Sequence, residues 1–273
     1  MADRDIPNPE NPWVPMEDYT PEALAACEKA LRTIVSRIGA WGPRLILFGG
    51  LAPRYIVASP PAEMEELGNA GFREGEDGSW AWERRVDGVR VVLEFFCPVE
   101  PDGRPGTLRR NPGGETGSSI SAIQLRGAEI AAADCAVRTL SGEVLDEGGH
   151  RDVEVRVVNV LPFLVLKAFA LESRDKEKDA YDIVWTLKAF GDWGPASAAD
   201  AAAESPIADQ DEVLAALEIL EHSFSDPLSQ GPSNYARFFL GAAGEEEARM
   251  RLRRDAQGTI RAFLSRWRSI RSG

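Results

Sequence analysis

The charged residues of the segment Leu161–Leu187, LPFLVLKAFALESRDKEKDAYDIVWTL, are the strongest candidates for chemistry in this chain. Lys167 and Arg174 stand seven residues apart, which on a continuous helix is two turns and sets both cations on one stripe. Asp179 and Asp182 are three apart and Lys178 and Asp182 four apart, so they are neighbours on the next helix. Cations and carboxylates at this spacing suit two consecutive helices that face a site, and equally a solvated, salt-bridged helix face. Two further positions carry chemical meaning. Glu94 is a lone acid in the apolar run VVLEFFCP; a buried carboxylate is costly unless paired or metal-bound, whereas an edge strand would leave it in water. Gly49 and Gly50 follow the short apolar run Leu45–Phe48, where bare backbone ahead of a helix can approach a phosphate or simply make a tight turn.

The elements that would position these residues follow from periodicity. Thr20 and Pro21 predict an N-cap and a first-turn proline, after which Leu24, Cys27, Leu31, Ile34, Val35 and Ile38 form an apolar stripe that Gly39 ends. Leu45–Phe48 reads as a buried strand and Ala62–Ala70 as a short helix. Trp80–Val86 and Val89–Phe96 flank Asp87-Gly88 as a hairpin. Pro98–Ser119, with Arg104, Arg109 and Arg110, has the composition of a loop. Cys135–Leu140 and the alternation Val153, Val155, Val157 predict two more strands, with a turn at Ser141-Gly142 and another around His150. Pro162 suits the first turn of the helix that carries Leu164, Ala168 and Leu171. Asp192–Pro206 reads as an Ala-rich linker, Val213–Leu220 as a helix entered through acidic residues, and Ile260, Phe263, Leu264, Trp267 and Ile270 as the apolar stripe of a terminal helix. Arg249, Arg251, Arg253, Arg254, Arg261, Arg266, Arg268 and Arg271 surround that stripe, either as a contact for RNA or an acidic partner or as a cationic face balancing acidic neighbours.

A chain of 273 residues can bury a substantial core. Its formal net charge of −13 argues against broad, charge-driven nucleic-acid binding. Cys27, Cys97 and Cys135 are odd in number and in no metal-ligand spacing, which predicts reduced thiols. With no basic-then-apolar leader and no bilayer-length apolar run, the sequence predicts a cytoplasmic protein with no membrane partner. No Ser or Cys has a partner motif suggesting a hydrolase triad.

Three segments in order resemble the nucleotidyltransferase-fold family that includes the AbiEii and AbiGii toxins. Lys167…Arg174-Asp175-Lys176-x-Lys178-Asp179-x-Tyr181-Asp182 is similar to its "K…R.K.KDayDi" segment. Leu45–Tyr55, LILFGGLAPRY, resembles its strand, glycine pair and helix start, and Val91–Pro98 its strand with the last metal-binding carboxylate. The resemblance implies an α/β (α+β) fold: a nucleotidyltransferase-like mixed β-sheet core over 20–158, after a loosely ordered lead-in 1–19 and before a helical C-terminal region 159–273. It implies transfer of a nucleoside monophosphate from an NTP to an acceptor such as RNA. Gly49 and Gly50 would cradle phosphates with Arg54 assisting, and Glu94 would bind Mg²⁺. Lys167 and Arg174 would neutralise triphosphate charge, while Lys178, Asp179 and Asp182 orient nucleotide or acceptor.

The chain departs from the family at one place. The D-x-D pair that holds magnesium in active members has no counterpart between Ile56 and Phe72, and Glu63-x-Glu65 falls in a predicted helix, where its side chains diverge. Because such transfer rests on metal ions held by several carboxylates, this gap supports an alternative. That alternative is a catalytically degenerate member acting as a nucleotide- or partner-binding module, with an antitoxin among the expected protein partners.

Overall fold

The computed structural model describes residues 20–38, 46–47, 52, 56, 73–75, 78–110, 121–145, 149–241 and 244–272. Within these residues the architecture is mixed α+β, with small sheets followed by a run of helices. The first helix, α1 (Pro21–Ile38), begins where expected: the Ala23 N–H donates to Thr20 Oγ1 at 3.1 Å. Its most buried face is not the apolar stripe, however. Ala25, Ala26 and Ala30 are buried together with Glu28, Lys29, Arg32 and Thr33, while Leu24, Cys27, Leu31, Ile34 and Val35 are half-buried. The helix is covered on two sides, by the strand Val89–Glu94 and by the paired strands Cys135–Glu143 and His150–Val158, so both faces meet protein. The buried polar groups are matched: Lys29 donates to Glu143 at 2.9 Å, and the Thr33 hydroxyl accepts the Leu145 N–H at 3.0 Å.

Strands β1 (Arg73–Gly75), β2 (Gly78–Val86) and β3 (Val89–Glu94) form an antiparallel sheet in that order. The expected hairpin is present, with Val86 opposite Val89 and both turn residues left-handed, Asp87 at φ 48° and Gly88 at φ 87°. The strand expected over Val89–Phe96 divides at Phe95. Beyond it, β4 (Phe96–Pro98) pairs in parallel with β6 (Ser121–Leu125) in a second sheet, whose other edge is β5 (Leu108–Arg110). The loop expected over Pro98–Ser119 therefore contains a strand, and Arg109 is tied to Glu100 at 2.9 Å. Residues 111–119 of that segment lie outside the described residues, as do Ala62–Ala70.

A long ribbon, β7 (Cys135–Glu143) and β8 (His150–Val158), is in continuous register from Cys135 opposite Val158 to Glu143 opposite His150. This corrects two expectations. Ser141-Gly142 is inside β7 rather than in a turn, and His150 opens β8. The glycine signal at 142 has another cause: a Cβ there would stand 2.8 Å from the Arg32 guanidinium carbon, so Gly142 makes room for α1. Leu47 forms a parallel bridge to Val157, its N–H donating to Arg156 O at 2.7 Å, as the expected strand around it requires.

After the short helix α2 (Ala128–Ala131) the helices are α3 (Val160–Ser173), α4 (Glu177–Ala189), α5 (Pro195–Ala203), α6 (Asp211–Ser223), α7 (Gln230–Leu240) and α8 (Glu246–Arg271). Helix α3 is apolar on every side, and residues Val160–Phe169 and Leu171 are all buried, so it is the central helix rather than an amphipathic one. One hydrophobic cluster joins the inward valines of β8 to α3, α4, α5, α6 and the stripe Ile260, Phe263, Leu264, Trp267 of α8. Among the described residues no helix is long and apolar enough to cross a membrane.

The segment expected to be a linker is part of this core. Pro195 occupies the first turn of α5, where its missing N–H costs nothing, and Ala198, Ala199 and Ala202 are fully buried with α8 packed on α5. Alanine richness here reflects close helix approach. Ala199→Leu is expected to destabilise the protein by about 1–3 kcal/mol through overpacking. Urea denaturation measures this, and an unchanged midpoint would restore the linker assignment.

Candidate functional site

The site is built on the elbow between α3 and α4. Helix α3 ends because Arg174 turns to extended backbone, φ −150° and ψ 152°, with its N–H still donating to Ala170 O at 3.1 Å. Lys176 is also extended, and the Asp179 N–H donates to Lys176 O at 3.0 Å to start α4. Lys167 and Arg174 are therefore not on one helical stripe, which corrects the expectation from their spacing. They converge on a shared partner instead.

That partner is Asp179. Lys167 Nζ donates to Asp179 Oδ1 and to Asp182 Oδ2, each at 2.7 Å. Arg174 reaches Asp179 through Nε at 2.8 Å and Nη2 at 3.1 Å, a bidentate fork. Lys178 completes the network on Asp182 Oδ1 at 2.6 Å. Lys167 is 7% exposed, Asp179 1% and Asp182 2%, so this is not a solvated face. The Arg174 side chain, in contrast, is 52% exposed and presents its outer edge to solvent.

The electrostatics follow from that burial. Desolvation alone would push Lys167 down, but Asp179 and Asp182 outweigh it and hold the ammonium above its ordinary value. Desolvation would likewise raise Asp179, yet Lys167 and Arg174 outweigh it and keep the carboxyl well below the usual range. Arg174 is held above its ordinary value, against desolvation, by Asp179 first and then by Glu94 and Asp182. Lys176 is lowered by desolvation and by the neighbouring Arg174, against the pull of Asp179 and Glu94.

Glu94, about eighty residues upstream, is thus within electrostatic reach of the elbow. Its setting corrects one expectation: it is exposed at the end of β3, an outer strand of its sheet among the described residues, so desolvation does not oblige it to bind a cation. The residues brought into contact are Lys167, Arg174, Lys178, Asp179 and Asp182, and Glu94 acts on Arg174 through its charge alone. Gly49, Gly50 and Arg54 lie outside the described residues, as does most of the stretch where a D-x-D pair was sought. Lys176 was missed as a site residue; its place between Arg174 and Lys178 in the charge run was the available signal.

For Mg²⁺ the described donor set does not fit. All four carboxylate oxygens of Asp179 and Asp182 accept N–H bonds from cations, which leaves Glu94 as a single hard ligand. Among the described residues no group of three or more His, Cys, Asp or Glu could hold a metal ion. Most arginines of α8 are also engaged, among them Arg266 with Asp200 at 2.7 Å, Arg268 with Glu221, Arg271 with Asp209, and Arg251 with Glu247 at 2.7 Å. The cationic face of that helix balances acidic neighbours, as one of its two sequence readings requires.

Comparison of the chain with protein-family models, with curated proteins and with solved structures returns no match.

Proposed function

We propose that this chain is a nucleotidyltransferase-like protein of the AbiEii toxin type. It takes the triphosphate of an NTP at the α3–α4 elbow and passes the nucleoside monophosphate to an acceptor such as RNA. The observation that carries this reading is the half-exposed Arg174 guanidinium, fixed by its two bonds to Asp179 at the elbow, with the Glu94 carboxylate of β3 contributing to the field it feels. Residues far apart in sequence and named by one family resemblance share one local field. In the binding step the exposed edge of Arg174 receives phosphate oxygens while Asp179 keeps its guanidinium oriented. Lys167 acts from beneath, by holding the Asp179 and Asp182 carboxylates in place. The reading includes a cytoplasmic setting and an antitoxin as protein partner; Cys27, Cys97 and Cys135, all free thiols, accord with that compartment.

A second reading is favoured by the donor set. With Asp179 and Asp182 saturated by cations, the described residues supply nucleotide binding more readily than metal-assisted transfer. On that reading the protein is a nucleotide- or partner-binding module.

Calorimetric titration with ATP, CTP, GTP and UTP, each with and without Mg²⁺, separates the two. Magnesium-dependent binding that is lost in Glu94→Ala supports transfer and sends the search to RNA acceptors. Metal-independent binding, unchanged or tightened by Glu94→Ala, supports the binding module, because a carboxylate near Arg174 then competes with phosphate. No binding of any NTP sinks both nucleotide readings and leaves a fold kept for contact with a partner.

A further inference from the structure

We propose that the polar stripe Gln230, Asn234 and Arg237 on α7 is a positioning element that sets the Arg174–Lys176 elbow for polyphosphate binding. The inference rests on the nucleotide-binding reading above. The three residues recur at helical spacing and face the elbow in order. Gln230 Nε2 donates to Leu171 O at 3.0 Å, satisfying a carbonyl at the end of α3 that the helix itself leaves open. Asn234 Nδ2 donates to Asp175 Oδ1, in the middle of the elbow, at 2.9 Å. Arg237 donates to Asn234 Oδ1 and stands 3.2 Å from Glu177 Oε1, at the start of α4.

Asn234 is the informative residue. It is fully buried in a helix interior, where asparagine has poor propensity and an unpaired amide is costly. A leucine or alanine would suit that place better if packing alone mattered. Both ends of its amide are used, one on the elbow and one on Arg237, so the residue couples α7 to Asp175, the middle of the non-helical positions between α3 and α4. Each such position has backbone freedom to lose, and among the described residues the elbow's backbone bonds are found at its two ends. The Asn234–Asp175 bond ties down the middle. Arg174 and Lys176 flank Asp175, so their directions are set by the same contact.

The test uses the full chain and inorganic triphosphate as probe, with amide hydrogen exchange and calorimetric affinity as the two readouts. Asn234→Leu keeps the branching and number of heavy atoms while removing both amide bonds; the Asp175 side chain is 61% exposed and stands 3.7 Å from Arg237, which also retains Glu177. The expected result is at least tenfold faster exchange at the Arg174 and Asp179 amides. A tenfold or greater rise in the dissociation constant should accompany it, with exchange in the buried part of α8 unchanged. Gln230→Ala, at an exposed position, is the second variant should Asn234→Leu fail to fold, and the same pattern is expected at the Arg174 amide. Wild-type binding of triphosphate together with unaltered elbow exchange or unaltered affinity in the variants overturns the positioning role and leaves the nucleotide reading standing. Faster elbow exchange in a protein whose wild type binds neither triphosphate nor NTP overturns both.

Discussion

Replacing Lys167 by methionine is expected to destabilise the protein by about 3–5 kcal/mol, the usual cost of removing one partner from a buried ion pair. The methionine fits the volume of the lysine stem, so packing loss is small. What is lost is the ammonium that serves both Asp179 Oδ1 and Asp182 Oδ2 at 2.7 Å in a region nearly closed to water. Asp179 keeps Arg174 on both oxygens and Asp182 keeps Lys178 on Oδ1, but Asp182 Oδ2 is left with no cation and Asp179 with no ammonium beneath it. Denaturant titration reads the change directly. Combining Lys167→Met with Asp179→Leu and Asp182→Leu in one protein should recover part of the loss, because the three most deeply buried charges go together, while Lys178 and Arg174 lose their carboxylate partners. A Lys167→Met midpoint equal to that of the wild type means that the network does not hold α3 to α4.

The same network has a defined pH window. Asp179 is depressed in the folded protein, so its contribution is present above its unfolded value near 4 and is lost as pH falls below that. Lys167 is raised, so its contribution is present below its unfolded value, about 10.4, and is lost as pH rises through the folded value above it. Stability measured between these limits should show the full Lys167→Met difference, and the difference should shrink below about pH 4.

The second large effect concerns ligand rather than fold. Arg174→Ala is expected to raise the dissociation constant for an NTP about 10–100-fold, corresponding to the roughly 1.5–3 kcal/mol of a charge-assisted hydrogen bond. Its effect on stability should be well below that of Lys167→Met. The guanidinium is half in water, and Asp179 retains Lys167 at 2.7 Å when Arg174 is gone. The pair of substitutions thus separates the two roles: one cation secures the helices and the other meets the ligand. Equal loss of stability in both, with unchanged NTP affinity in Arg174→Ala, would falsify the assignment of the elbow as the phosphate site.

Legibility from sequence varied with the range of the interaction. Thr20-Pro21, the Asp87-Gly88 turn and the acidic entry to α6 were readable because capping and turn formation depend on a few adjacent residues. The stripe Ile260, Phe263, Leu264 and Trp267 was readable because a helix on the surface of a core has one wet side, but Ile270, expected to continue it, lies past the core and is exposed. The same rule misplaced α5, since alanine is small enough to be buried without marking its segment as apolar. It also misplaced the buried face of α1, where two layers cover the helix and period alone cannot choose between stripes.

At the site, the sequence by itself determined which charges are available: Lys167, Arg174, Lys176, Lys178, Asp179 and Asp182 in one short run, with Glu94 at the end of a strand. It also determined several strands and helices, through periods that local sterics enforce, while the α+β class, which the structure bears out, was expected from the resemblance. Only the tertiary structure decided how those charges are spent. The break in helix at Arg174 turned an expected stripe into a fork around Asp179, and burial beneath α4 made Lys167 an internal counter-ion. The edge position of β3 left Glu94 in water, and α7 brought Asn234 to Asp175 across 59 residues of chain. Charge–charge energies depend on distance and desolvation, and neither quantity exists until the chain has folded.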